Sequence, residues 1–359
     1  MRILGPKPAL RFFAPLVLLL VLAGAGLVAG TASADKRLPT RTPQELLVDL
    51  QQAKPDGLSG TVVERADLGI PAIPGPNGQD AELTSLVSGS HTLRVRYSEP
   101  DKARLAVLGT YSEYDLIRNG KDVWTWDSKD NAATHRTLAT EEAGQPGATP
   151  SGTPTTPEEA ANQVLKALEP TTTVTSDSAV EVAGRPAYEL IVDPNDSNTL
   201  ISQVRIAIDG DTKLPLRVQV LGTDNKTVFE VAYTSVDFTR PDDAEFVFNP
   251  PPGAKVTEIK PSDQTPSPQD RKQDEAARKA IKVVGSGWTA VAVTEVGDIS
   301  NSQDDQQLKA FLDRLQPVHG SWGSGRLLAG TSFTAVWTDD GRLAVGAVRP
   351  DLIYQALSK

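Results

Sequence analysis

The residues best equipped for chemistry in this 359-residue chain are three histidines, two acidic pairs, a glycine-rich loop and a Trp-Thr-Trp strand. His91, His135 and His319 lie in separate segments, with no His, Cys or carboxylate at metal-ligand spacing around them. A metal centre needs such ligands gathered at short, fixed intervals. Each histidine therefore reads as a solvated or hydrogen-bonded structural group. The chain has no cysteine, which removes thiol nucleophiles, disulfides and N-terminal acylation at a Cys. Neither a G-x-S-x-G elbow nor a Walker-type phosphate loop occurs. The run Gly320 to Gly325 reads as a turn or strand entry, not as a phosphate cradle. Glu141 and Glu142 fall in a loop. Glu158 and Glu159 fall in the opening turn of a helix, where acids suit the helix dipole. No nucleophile meets a base, so the residues predict a protein that is not an enzyme and has no cofactor or metal.

The Trp-Thr-Trp strand offers binding instead. Trp124 and Trp126 are two residues apart and must project from one strand face. Two readings stay open. They are ordinary sheet core, or they line an apolar cavity together with Tyr97, Phe229, Val231 and Tyr233.

These side chains must be positioned by a β-rich frame. Thr42, Pro43 and Glu45 give an N-cap, a proline at N1 and an acid at N3, predicting a helix to about Ala53 with Leu46, Leu47 and Leu50 as its stripe. Gly57 to Ala66 is a first strand, and Leu68 to Asp80, rich in Pro and Gly, a loop. Leu93, Val95 and Tyr97 alternate with Arg94 and Arg96. Short strands follow to Leu138 at a spacing of about ten residues, with Asn119-Gly120 as a type I′ hairpin turn. After a Gly/Pro/Thr linker (144–156), Thr156 caps a second helix to Leu168. Strands then run from Thr172 to Phe238, alternating cleanly through Val204, Ile206, Ile208 and Leu214, Leu216, Val218. A last strand is expected at Glu245 to Phe248. Pro250, Pro251 and Pro252 donate no backbone hydrogen bonds, so the sheet is expected to finish there at an edge or rim.

The ends of the chain carry further signals. Arg2, Lys7 and Arg11 precede an apolar run from Phe12 to Val28 and then Ala32-Ser33-Ala34. This pattern predicts a signal segment over 1–34, with an uncleaved membrane anchor as the competing reading. Without those three basic residues the net charge of −10 becomes −13. Such an acidic surface disfavours nucleic acid and anionic headgroups. A polar linker spans 259–279. A small unit over 280–359 is predicted with strands at Thr289 to Val296, Ser332 to Thr338 and Arg342 to Val348, joined by an Asp340-Gly341 turn. Helices are expected at Asp304 to Leu315 and Pro350 to Leu357.

The stretch Leu116 to Asp127 resembles the DG-x-x-x-W-x-Y-D hairpin of the LolA/LolB/LppX lipoprotein-carrier superfamily, with Asn119 and Trp126 departing from its Asp and Tyr. Leu214 to Arg217, Val228 to Phe238 and Phe246 to Gly253 resemble its closing strands and its F-x-F-x-P-P-x-G ending. The likeness spans Thr42 to Val256. It implies an α+β, mainly antiparallel fold: a half-open β-barrel over 35–258 with a helical lid, followed by the small α+β domain. It also implies a cavity for lipid or lipoprotein acyl chains in an exported, extracytoplasmic carrier. RseB-like relatives imply an alternative, a regulator that binds an anti-sigma factor or other membrane partner through its second domain.

Overall fold

In the computed structural model the described residues are 38–69, 89–138, 172–259, 281–296 and 309–359, without the side chains of 178 and 179. The expected signal segment, the second helix at 156–168 and the interior of the polar linker lie outside them.

Helix α1 (Pro43–Gln52) opens on a full capping box. The Thr42 hydroxyl accepts from the Glu45 N–H at 3.3 Å, and the Thr42 N–H donates to Glu45 Oε2 at 2.8 Å. Leu46 and Leu50 are buried against the sheet, as the i, i+4 stripe requires.

Twelve strands form one sheet: β1 (Gly57–Ala66), β2 (Gly89–Ser98), β3 (Lys102–Leu108), β4 (Glu113–Asn119), β5 (Asp122–Asp127), β6 (Ala132–Thr137), β7 (Thr172–Val182), β8 (Arg185–Pro194), β9 (Ile201–Asp209), β10 (Pro215–Gly222), β11 (Thr227–Asp237) and β12 (Lys255–Ile259). Their order is β12-β6-β5-β4-β3-β2-β1-β11-β10-β9-β8-β7. Two meanders are therefore joined through the antiparallel β1–β11 pair. The sheet is unclosed, yet β7 returns to approach β11 across the intervening strands, so it is rolled. Its inner face carries one continuous apolar cluster, from Leu105 and Leu116 in one meander to Ile206 and Leu190 in the other. Its outer face carries ion pairs: Arg104 Nε to Asp115 Oδ1 at 2.8 Å and Arg217 Nη2 to Glu189 Oε1 at 2.7 Å. One apolar and one polar face is the expected division for a half-covered antiparallel sheet.

The expected strand at Glu245 to Phe248 is instead a 3₁₀ turn, Asp243–Phe246. Asp242 caps it, accepting from the Ala244 N–H at 2.9 Å. Arg96–Glu245 (3.0 Å) and Lys102–Asp243 (2.7 Å) bind it to the outer side of β2 and β3. Nor does the sheet finish at the prolines. Their missing N–H groups interrupt the ladder locally, but from Lys255 the chain can donate again. The Lys255 N–H reaches the Asn131 carbonyl at 2.9 Å, and β12 pairs in parallel with β6.

A second, smaller sheet domain contains β13 (Lys282–Val284), β14 (Val291–Glu295), β15 (Gln316–Gly320), β16 (Gly323–Ala329), β17 (Thr334–Thr338) and β18 (Arg342–Gly346), in the order β13-β14-β18-β17-β16-β15. The glycine-rich run is the β15–β16 hairpin. One face of this sheet packs on helix α2 (Pro350–Leu357) through Val336, Ala344, Ile353 and Leu357. The other face, with Ala335, Trp337 and Leu343, joins the apolar cluster of the large sheet. Period-two alternation along β17 thus serves two cores at once. Backbone contacts fix the junction. The Leu200 N–H donates to the Ala347 carbonyl at 2.8 Å, and the Thr331 N–H to that of Leu68 at 2.9 Å.

Candidate functional site

The inner face is assembled by register. Across β1–β2, Leu58 faces Tyr97 and Val62 faces Leu93; across β1–β11, Val62 faces Tyr233, Glu64 faces Val231 and Ala66 faces Phe229. Cross-strand partners point to the same side. Tyr97, Phe229, Val231 and Tyr233 therefore share one surface with Val62 and Leu93. Phe229, Val231 and Tyr233 are buried in the apolar cluster, while Tyr97 is half-buried against it. Gly60 makes room for this arrangement. A Cβ there would stand 2.8 Å from the Tyr233 ring, inside any tolerable contact.

The structure does not bring Trp124 and Trp126 to that surface. Val123 belongs to the inner cluster, so the tryptophans on either side of Thr125 point outward. Trp124 stacks on His135 with ring centroids 4.1 Å apart. Phe248 covers both tryptophans at 5.3 and 6.0 Å. His135 Nδ1 lies 2.8 Å from Glu258 Oε2, and its Nε2 lies 3.0 Å from Asp122 Oδ1. The segment from the 3₁₀ turn to β12 thus straps an aromatic cluster onto the outer face. Two tryptophans in alternation announce a shared side, but nothing local says which side is inward.

Sequence reasoning also missed Glu64. It follows Val62 by two residues and so projects into the apolar face, where it is only 3% exposed. Both carboxylate oxygens are buried and have no hydrogen-bond partner among the described residues. Burial pushes its pKa up to about 8, which makes it a neutral acid at pH 7. Phe333, Trp337 and Leu343 carry no local signal of their role either. They bring the second sheet onto the same cluster. The arrangement is a packed apolar interior into which the Glu64 carboxyl projects. Among the described residues no His, Asp and Glu side chains gather as a metal site, and no helix is long and apolar enough to cross a membrane.

Residues 89–264 match the MucB/RseB N-terminal domain family. No curated protein matches the chain. Among solved structures, the MucA/MucB complex of Pseudomonas aeruginosa is similar at 16% identity and a TM-score of 0.43, covering 88% of this chain and 96% of that one. An uncharacterized conserved protein from Thermus thermophilus is similar at 13% identity and a TM-score of 0.34, covering 60% and 98%. A LolA superfamily protein from Nitrosomonas europaea is similar at 10% identity and a TM-score of 0.23, covering 58% and 99%. The family match spans β2 to β12 of the large sheet, and this part of the chain is therefore similar to the MucB/RseB N-terminal domain.

Proposed function

We propose that this protein is an exported, extracytoplasmic binding protein that takes lipid or lipoprotein acyl chains on the inner face of its rolled sheet, without turnover. Residues 35–258 are the binding unit, 259–279 a linker, 280–359 a second domain, and 1–34 a leader. The observation that carries this reading is the single apolar surface to which Tyr97, Phe229, Val231 and Tyr233 contribute. Each CH₂ moved from water into such a surface contributes about 0.8 kcal/mol, so a sixteen-carbon chain offers roughly 12 kcal/mol before ordering costs. Native mass spectrometry and solvent extraction of the purified protein test it. Co-purifying acyl lipid is the expected result. A protein that carries none, and whose tryptophan emission is indifferent to acyl probes, is not an acyl-chain binder.

A second reading is a regulator that engages a membrane partner, such as an anti-sigma factor, through the second domain. It is supported by a surface groove of about 420 Å³, remote from the inner face, lined by His319, Ser321, Trp322, Tyr354 and Gln355. Trp322 and Tyr354 stack there with centroids 5.6 Å apart. Photo-crosslinkers placed at Gln355 and at exposed Tyr111 separate the readings. A membrane protein captured only from Gln355 favours regulation, and equal capture from both positions removes its basis.

A further inference from the structure

Glu64 is a buried polar group that no side chain or backbone group among the described residues uses. Its neighbours on β1, Val62 and Ala66, are core residues, and it stands between Val231 on β11 and His91 on β2. Neither carboxyl oxygen has a partner among the described residues. An orphaned carboxyl in apolar surroundings costs stability, and a leucine of similar length would fill the space without that cost. Buried polar groups are nearly always satisfied, so an unsatisfied one points to a partner outside the described residues.

We propose that Glu64 is the polar anchor of the inner face, donating a hydrogen bond to the ester carbonyl of a bound acyl chain. The inference rests on the acyl-chain reading given above and names the ligand chemistry at one atom. A protonated carboxyl has one O–H to donate, and an acyl ester presents a carbonyl oxygen to accept it while its chain lies on Phe229, Val231 and Tyr233. A cationic ligand fits less well. Its charge would have to be stripped of water among Val62, Phe229 and Val231, with little to offset that cost.

The test compares monohexadecanoylglycerol with monohexadecylglycerol, an ether that lacks only the carbonyl oxygen. Each is titrated calorimetrically into the full-length protein, below its aggregation concentration. The wild type is expected to bind the ester about tenfold more tightly, the value of one buried neutral hydrogen bond. Glu64→Leu should bring that ratio to about one while both ligands still bind. Glu64→Gln keeps an N–H donor and should keep most of the preference. Thermal melts of both variants establish that they fold. A wild-type ratio of one, or an unchanged ratio in Glu64→Leu, overturns the anchor and leaves acyl binding intact. Failure of every form to bind either ligand overturns both.

Discussion

Two buried carboxylates of this protein are shifted in opposite directions, one by burial and the other by its hydrogen bonds, and their pH signatures differ in sign. Glu64 is raised by burial to about 8, so between its ordinary value and that point the folded protein holds a proton that the unfolded chain has lost. Its contribution to stability is full in mild acid and is lost as pH rises through the folded pKa. From pH 5 to pH 8 we expect a decline on the order of 4 kcal/mol in the wild type, absent in Glu64→Leu, by urea unfolding at each pH. Parallel profiles for the two proteins would mean that Glu64 is not the titrating group. Asp209 is the reverse case. Burial works against its charge, but Arg185 Nε at 2.5 Å and the Thr212 N–H at 2.7 Å hold its pKa below the usual range. Its contribution is present above the ordinary carboxylate range and is lost as pH falls through the lowered value. Asp209→Asn should therefore cost roughly 2 kcal/mol at pH 7 and progressively less in acid. A constant difference down to pH 2 would assign the loss to packing.

At the scale of elements, the local signals in the chain are legible and the long-range ones are not. The Thr42–Glu45 capping box and the Asn119-Gly120 hairpin signal are written in a few adjacent residues, and the cap stands as expected. Asn119, however, pairs with Asp122, so the turn falls on Gly120-Lys121 with only Gly120 at positive φ, not on the expected type I′ pair. Thr42→Ala should remove one cap and lower stability by about 1 kcal/mol, a modest fall in melting temperature. A larger loss would show that α1 holds more of the core than Leu46 and Leu50. The face of a strand is different information. Val62, Val63, Glu64, Arg65 and Ala66 do not alternate cleanly, and a register shift between Thr61 and Val62 sets which of them faces Tyr233. Glu64 is illegible for that reason. The same holds for Trp124 and Trp126, whose side is decided by a strap more than 110 residues away at Phe248. It holds too for β12, a parallel return that depends on Asn131 gripping Gly253 at 3.0 Å. Gly60 tests the register directly. Gly60→Val would drive a side chain into the Tyr233 ring and should destabilise the fold by about 1–3 kcal/mol, the usual cost of overpacking, while displacing the ring. Unchanged Tyr233 resonances in an NMR spectrum would refute that placement.

For the molecule as a whole, the decisive feature is that two sheets share one apolar cluster. Ala335, Trp337 and Leu343 of the second sheet are buried with Phe229 and Val220 of the first, so neither sheet has a complete core alone. Thr331 is a hinge pin of this union, donating through its N–H to the Leu68 carbonyl and through its hydroxyl to that of Asp67, both at 2.9 Å. Beside it, Gly330 permits the approach, because a Cβ there would lie 2.5 Å from the Leu68 carbonyl oxygen and 2.6 Å from the Phe333 ring. Gly330→Val should push the β16–β17 turn away from the end of β1 and open the shared cluster to water. Shared burial couples the unfolding of two units, so the wild type should melt in one calorimetric transition and the variant in two. The acyl-binding proposal predicts a further consequence, since the second sheet closes one side of the inner face. The variant should release acyl ligand faster without losing the ligand's preferred contacts on β1 and β11. Should it instead melt as one unit at the wild-type temperature, the two sheets are merely adjacent. The inner face would then have to retain its ligand without the second domain.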